Sequence, residues 1–438
     1  MSQYTLLKSA RFLPIFVTQF LSALNDNIFK NALVIYIAFT LADQTSMDSS
    51  ILVITAGGLF ILPYFLFSAT AGQIADKYEK SFLIRRIKLV EILIMGFAVV
   101  GFLTESLPLL MVVLFLMGMQ STFFGPLKYG ILPQHLEFRE LTGGNGLVQM
   151  GTYLAILGGT IIGGALINLK GVGVSIVSSI VICVALLGWL SSRYIPDAEA
   201  ADKTLIIDWN ILKQTLKILR YVISEKEIFI AIVAISWFWF IGATYLSLVP
   251  TYSRDVLFGD ELVTTSLLTA FSIGIGSGSL VCERLSRAKI EPGLVPIGAL
   301  GLSLFAFDLY FIGMPGITGV TAGQQFVFMD FMQYTIHWRI LFDLIGIGFF
   351  GGVYIVPLYA MVQHRASPSL RARVIAATNI LNAIFMVTSA LVVISLIKLL
   401  YSIPQIYLFV GILNLIITGV IFVKYPEYLQ RLIAITRG

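Results

Sequence analysis

The stretch FLPIFVTQFLSALNDNIFKNALVIYIAFTL, residues 12–41, is apolar along most of its length and carries only two charges, Asp26 and Lys30. About 20 apolar residues in a helix match a hydrocarbon layer near 30 Å thick, so this segment is long enough to cross a bilayer. Eleven further stretches repeat the pattern. They run from Ile51 to Gly72, Ile84 to Leu103, Leu107 to Leu127, Gly144 to Leu169 and Gly171 to Leu190. The second half adds Ile228 to Thr251, Leu262 to Val281, Ile290 to Gly313, Arg339 to Val362, Val374 to Ile397 and Tyr401 to Val423. With 58% hydrophobic and 12% charged residues over 438 positions, and a mean hydropathy of +0.91, the chain cannot cover itself with polar surface. Its outer solvent is lipid, where helices satisfy their own backbone groups. The expected fold is all-α and membrane-integral, with 12 transmembrane helices in two pseudo-symmetric six-helix bundles. Residues 1–192 form the first bundle, 193–227 a cytoplasmic linker, 228–425 the second bundle and 426–438 a cytoplasmic tail. No cleavable signal peptide is read ahead of the first span, which is too long and lacks a small-residue cleavage site.

Basic residues choose the orientation. With both termini inside, only Lys170, Arg254, Lys398, Arg339 and Lys30 fall outside or within the membrane, leaving 24 of the 29 Lys and Arg on the cytoplasmic side. They cluster in Lys77–Lys88, Arg193–Lys226, Arg284–Lys289 and Arg365–Arg373, the asymmetry that the positive-inside rule demands. The net charge of +5 then reflects contact with anionic membrane lipids, and no nucleic-acid partner is expected. Within the linker, Leu205, Trp209, Leu212, Leu216 and Leu219 recur at helical spacing, with Lys213, Lys217 and Arg220 on the other side. An amphipathic helix lying in the head-group layer is expected there, with a partner-binding helix as the alternative.

The two halves repeat one another. Phe123-Phe124-Gly125 and Phe349-Phe350-Gly351 are followed by Gln134-His135 and Gln363-His364. Arg139 then precedes Asn145-Gly146-Leu147 by the six positions that separate Arg373 from Asn379-Ile380-Leu381. Parallel six-helix repeats mark transporters that rock around a site. Gly159 and Gly163 in the fifth span, and Gly274 and Gly278 in the eighth, have the GxxxG spacing that lets backbones approach in lipid. They serve static packing, a sliding surface between the halves, or both.

Intramembrane charge is the strongest pointer to function. Asp26 lies near or just beyond the midplane, and Lys30 follows one turn later on the same face, so the two can pair. Either charge left in hydrocarbon costs on the order of 3 kcal/mol. Two readings stay open: an ion pair that locks the helix, or a polar spot facing a cavity, with Asn25 and Asn27 beside it. Glu91 has Arg85 and Lys88 as partners and is read as structural. Lys128 either snorkels to lipid phosphate or takes part in the site. Asp308 and Asp343 are further carboxylates with no evident basic neighbour. Asn145, Gln149 and Tyr153 in the fifth span, and Thr378, Asn379 and Asn382 in the eleventh, either line the same cavity or bond between helices.

Covalent chemistry finds no constellation. There is no P-loop, and His135, His337 and His364 offer neither zinc spacing nor a paired nucleophile. Four residues after His135 comes Glu140, so an acyltransferase His-x4-Asp motif is missing as well. Cys183 and Cys282 suit neither a disulfide nor a metal site. An enzyme is not expected, and neither is a cofactor.

The stretches Gln19-Phe-Leu-Ser-Ala-Leu-Asn-Asp-Asn27, Gly125-Pro-Leu-Lys-Tyr-Gly-Ile-Leu-Pro133 and Glu140-Leu-Thr-Gly-Gly-Asn145 resemble bacterial lysophospholipid transporters of the major facilitator superfamily. Gly72-Gln-Ile-Ala-Asp-Lys77 looks like the superfamily's loop between helices two and three. In that loop an Asp and basic residues clip the cytoplasmic side when the transporter faces outward. The resemblance covers residue 12 to about 385. It implies movement of lysophospholipids such as lysophosphatidylethanolamine from the outer to the inner leaflet of the bacterial cytoplasmic membrane, by a monomer, for re-acylation. Lys30 and the run Ser236-Trp-Phe-Trp-Phe-Ile-Gly242 to Tyr245 resemble members fused to an acyltransferase, and the tail from Pro426 resembles the start of the linker to such a domain. A separate acyltransferase is the other implied partner. Stand-alone members carry an Arg near the position of Leu246, which this chain lacks. The expected substrate-binding residues are Asp26, Asn27, Lys30, Lys128, Tyr129, Asn145, Gln149, Trp239, Tyr245, Asn379 and Asn382. Gly72, Asp76, Lys77 and Arg85 are the expected gating residues. Trp237, Phe238, Trp239 and Phe240 suit an apolar wall for one acyl chain, and Phe326 to Tyr334 is expected on the outer membrane surface. Proton-coupled transport of a soluble solute, and a scaffold that presents lysolipid without carrying it, are the alternatives.

Overall fold

The computed structural model describes residues 3–37, 49–313 and 326–437. Its helices are α1 (Leu13–Tyr36), α2 (Ser49–Lys77), α3 (Lys80–Leu103), α4 (Leu107–His135), α5 (Leu141–Ile167), α6 (Gly173–Ser192), α7 (Ile211–Ser224) and α8 (Lys226–Asp255). They continue with α9 (Glu261–Leu285), α10 (Leu294–Ile312), α11 (Phe328–Phe331), α12 (Thr335–Arg365), α13 (Arg371–Lys398), α14 (Ile403–Lys424) and α15 (Glu427–Arg437). Among the described residues, twelve helices have 19 residues or more, one for each expected span. Ten of these are long and apolar enough to cross a bilayer by length and composition alone. The other two, α1 and α3, carry the buried charges considered below.

Local chemistry sets the helix ends. Pro14 starts α1, where a missing N–H costs nothing. Glu79 caps α3 by accepting from the amides of Ser81 and Phe82, and Asp260 caps α9 through Val263. Ser402 and Gln405 form a reciprocal capping box on α14. Pro63, Pro126, Pro133, Pro250 and Pro357 lie inside helices, as membrane helices tolerate.

Several boundaries depart from the sequence reading. The linker helix was expected from Leu205, yet α7 begins at Ile211, after the Asn210 side chain accepts from the Lys213 amide at 3.0 Å. Asp202 and Asp208 each accept an amide two residues on, a local bond that competes with helix and leaves Leu205 and Trp209 outside it. The tail forms α15 rather than an open linker, with its Arg431 guanidinium bonded to Glu291 at 2.6 and 3.0 Å. Between Phe326 and Tyr334 only α11 is helical, a single turn. The last residues of the first expected span, 38–41, lie outside the described residues.

The chain divides into two compact units. Unit 1 holds Met1–Phe138, Leu154–Phe229 and Val362–Ala383; unit 2 holds Arg139–Tyr153, Ile230–Met361 and Ile384–Gly438. In unit 1, α2 lies along α4, α1 along α6, and α3 against both α4 and α6. Unit 2 packs α10 along α14. The segments paired by the sequence repeat, from Arg139 and from Arg373, are treated alike, because each joins the unit built mainly from the other half of the sequence.

Both glycine stripes are filled from within their own unit, the contacts that static packing requires. In unit 1 a Cβ on Gly159 would lie 2.7 Å from Leu24 O and from Asn27 Cβ, and Gly163 abuts Ile28. In unit 2 Gly274 and Gly278 meet Ile345 and Phe349 of α12, while Gly348 and Gly352 face back onto α9. Apolar burial supplies little drive in lipid, so backbone contact of this kind carries the packing.

Candidate functional site

Asp26, in the middle of α1, is half-buried and accepts the Ser121 hydroxyl of α4 at 2.6 Å on Oδ2. Its other oxygen, Oδ1, is buried with no hydrogen-bond partner. Of the two readings left open for Asp26 and Lys30, the locking ion pair does not form; the Lys30 ammonium lies over the Phe60 ring, 5.6 Å from its centroid. Lys128 lies over Tyr129 at 4.9 Å. Both lysines are half-buried, lie in the field of Asp26 and make no ion pair with a described residue. Tyr64 of α2 stands near Ser121 and Asp26. Two ammonium groups and one carboxylate thus share one region of unit 1, where rings and a hydroxyl take the place of salt bridges.

Behind Asp26 lies a fully buried polar chain. Lys88 and Glu91 of α3 form a short ion pair, with side-chain exposures of 0% and 2%. Asn25 donates to Glu91 Oε1 at 3.1 Å and Gln120 to Oε2 at 2.7 Å. Ser121, which holds Asp26, also reaches Gln120 Oε1 at 3.3 Å. Room for the ammonium comes from Gly188 of α6, where a Cβ would stand 2.8 Å from Lys88 Cε and 3.0 Å from Nζ. Glu91 therefore pairs with Lys88; Arg85 turns away to Asp197 at 3.2 Å. Gln120 and Ser121 escaped the sequence reading, although two adjacent polar residues in the apolar α4 were a visible signal.

Other expected residues separate. Asn27 donates to Ala23 O at 2.8 Å and packs on Gly159, away from Asp26. Tyr129 and Asn382 are buried in unit 1. Asn379 abuts Gly125 of α4, with its amide nitrogen 2.6 Å from where a Cβ would be, and that nitrogen is buried without a hydrogen-bond partner. Unit 2 holds Asn145, which donates to Leu141 O at 2.9 Å, and the buried Gln149. There the Trp239 indole donates to Tyr359 at 3.2 Å, and Tyr153 lies near that same tyrosine. Tyr245 stacks on Tyr407 at 4.7 Å. Trp237, Phe238 and Phe240 are buried, so they do not present an open wall. Asp308, expected to lack a basic neighbour, is gripped by the two-pronged Arg339 guanidinium.

Of the four residues expected to gate, Gly72 and Asp76 meet the start of α13 within unit 1. Asp76 accepts the amides of Ala372 and Arg373, at 3.1 and 3.3 Å, and the Arg373 Nε at 2.8 Å. Gly72 permits this approach, since a Cβ there would lie 2.8 Å from Arg373 Cα. Lys77 instead covers Tyr78 at 5.7 Å, and Arg85 serves the linker. Asp76→Asn removes the charge that holds Arg373. A thiol at the buried Ala372→Cys is expected to react several-fold faster with a soluble maleimide in that background; an unchanged labelling rate removes the clip role.

Among the described residues, twelve helices of 19 residues or more, ten of them apolar enough to cross a bilayer, together with a charged cluster inside the helical core, describe a membrane transporter. Residues 15–390 match the Major Facilitator Superfamily, and the chain belongs to that superfamily. Among curated relatives, the lysophospholipid transporter LplT of Escherichia coli O1:K1 / APEC is 26% identical over 368 residues, 82% of this chain and 81% of the relative. The LplT of Photorhabdus laumondii subsp. laumondii is 27% identical over 359 residues, 80% of this chain and 79% of its own length. Solved structures agree on the fold. The human organic anion transporter MFSD10 (TETRAN) aligns with TM-score 0.71 at 13% identity, covering 93% of this chain and 97% of its own. FucP in the outward conformation gives 0.67 at 14%, covering 97% and 99%.

Proposed function

We propose that this chain is a lysophospholipid transporter of the bacterial cytoplasmic membrane. It moves lysolipids such as lysophosphatidylethanolamine from outer to inner leaflet by alternating access, with both termini cytoplasmic and no catalysis of its own. The observation that carries the reading is the Asp26–Lys30–Lys128 cluster, deep in unit 1 and unneutralised by ion pairs. Its excess of one positive charge suits a phosphodiester, and the unpartnered Asp26 Oδ1 suits the ammonium of an ethanolamine head. The LplT relatives point the same way. Opening of the Asp76 clip onto α13 is the gating step in this proposal, and the re-acylation that consumes the product belongs to a separate acyltransferase activity.

Proteoliposomes with labelled lysophosphatidylethanolamine in the outer leaflet test it. Protein-dependent inward movement is expected. Tight binding with an unchanged leaflet distribution would indicate a scaffold instead, and uptake of a soluble solute indifferent to lysolipid would indicate a solute carrier. Lys128→Ala is expected to weaken lysolipid binding by about tenfold, the worth of one charge-assisted contact. Equal affinity in equilibrium binding would take Lys128 out of the site.

A further inference from the structure

Between α6 and α7 the linker is stitched to the end of α2, which carries the clip, and to the start of α3. Ala198 donates to Glu79 Oε1 at 2.7 Å and accepts the Lys80 amide at 3.0 Å. The Asp202 amide reaches Asp76 O at 2.9 Å, so the strap bonds to the clip residue itself. Gln73 exchanges two bonds with the Asp208 backbone, at 3.0 and 3.2 Å. Arg85 adds Asp197, and Gln134 adds Glu199 O at 3.0 Å. Asp208 also accepts the Asn210 amide, the Lys213 ammonium and the Gln214 amide, which push its carboxyl down to about 2. The strap's anchor therefore stays charged throughout the working pH range.

The helix at the end of this strap is unpaired on one side. Ile218 and Val222 of α7 are buried, while Leu212, Leu216 and Ile223 are 76%, 54% and 56% exposed, with Trp209 at 69% just ahead. Positions 212, 216, 219 and 223 share one face of a helix. Lys213, Lys217 and Arg220 are exposed, and α7 contains no acidic residue. An apolar stripe beside cations, on a segment next to a membrane-spanning bundle, fits an anionic lipid surface. A helix facing water on that side would not carry the leucine stripe, and an acidic protein partner would call for the cations alone.

We propose that α7 is an anionic-lipid anchor for the clip. Leu212, Leu216, Leu219 and Ile223 dip among the acyl chains of the cytoplasmic leaflet, and Lys213, Lys217 and Arg220 meet its anionic head groups. The strap over residues 195–210 ties that anchored helix to the last turn of α2, which bears Asp76, so lipid charge biases the clip toward its closed form. This rests on the cytoplasmic placement of the linker in the proposed function, but not on lysolipid transport.

The test uses the full chain, without its two cysteines, in vesicles of phosphatidylcholine alone or mixed with phosphatidylglycerol. An environment-sensitive probe is placed at Leu216→Cys, with Lys203→Cys on the strap as the aqueous control. Strong quenching by head-group-level nitroxide lipid is expected at 216 and little at 203, with a clear gain from phosphatidylglycerol. Neutralising Lys213, Lys217 and Arg220 to Gln should weaken that docking about fivefold per cation. In phosphatidylglycerol, labelling of Ala372→Cys should slow several-fold, and the triple Gln variant should lose the difference. Iodide quenching at 216 equal to that at 203 would overturn the anchor. Quenching indifferent to phosphatidylglycerol would overturn its charge selectivity, and clip labelling blind to lipid would overturn the coupling. Sidedness is read separately from an impermeant reagent at Lys203→Cys. Labelling from the periplasmic face of intact cells would instead overturn the topology on which the anchor depends, whatever the transport assay shows.

Discussion

Glu91→Leu is expected to lower the thermal midpoint of the purified protein by roughly 10 °C, equivalent to about 3–5 kcal/mol. Its carboxylate is the one ion-pair partner of the fully buried Lys88 ammonium among the described residues, and it also accepts the Asn25 and Gln120 amides. Removing it strands one charge and two donors together, and buried groups left unpaired bear their full desolvation cost. A buried pair exchanged whole for apolar side chains is often neutral. The double variant Lys88→Met/Glu91→Leu should therefore recover most of the midpoint. Thermal unfolding followed by tryptophan fluorescence in detergent checks both. A single variant as stable as wild type would show that Lys88 reaches water or another anion.

Asp26→Asn should cut lysolipid transport by about 100-fold while leaving the midpoint within a few degrees. The asparagine keeps the shape and can still accept the Ser121 hydroxyl at the Oδ2 position. What it loses is the charge, which meets no ion pair among the described residues and so contributes little to folding. Two charge-assisted contacts with a polar head, near 1.5 kcal/mol each, account for a factor of that size. Wild-type rates in proteoliposomes would return Asp26 to a packing role. Loss of both transport and stability would say the same of its position in the bundle.

Much of the fold was legible because hydrocarbon imposes length and apolarity on every span, and all twelve long helices fall where those two properties put them. The linker helix was misjudged by six residues, since apolar spacing continues through Leu205 and Trp209 while local side-chain bonds from Asp202 and Asp208 stop the helix. The site was legible in part. Asp26, Lys30 and Lys128 stand out as charges in oil, and Asp76 through its motif. Partner choice was not readable: Ser121 displaced Lys30 beside Asp26, and Arg339 reached Asp308, because pairing across helices depends on rotation and register that spacing along one helix does not record. Asn27 is one residue from Asp26 but turned about 100° around the helix onto Gly159.

Gly188 and Lys88 amount to a single heritable character spread over two helices. A methyl at position 188 would stand 2.8 Å from Cε and 3.0 Å from Nζ of Lys88, so the end of the lysine must shift, and its ion pair with Glu91 opposes that shift. Drift at either position is therefore conditional on the other, and selection for revertants of Gly188→Ala should return shorter, uncharged side chains at position 88, accompanied by loss of the acid at 91.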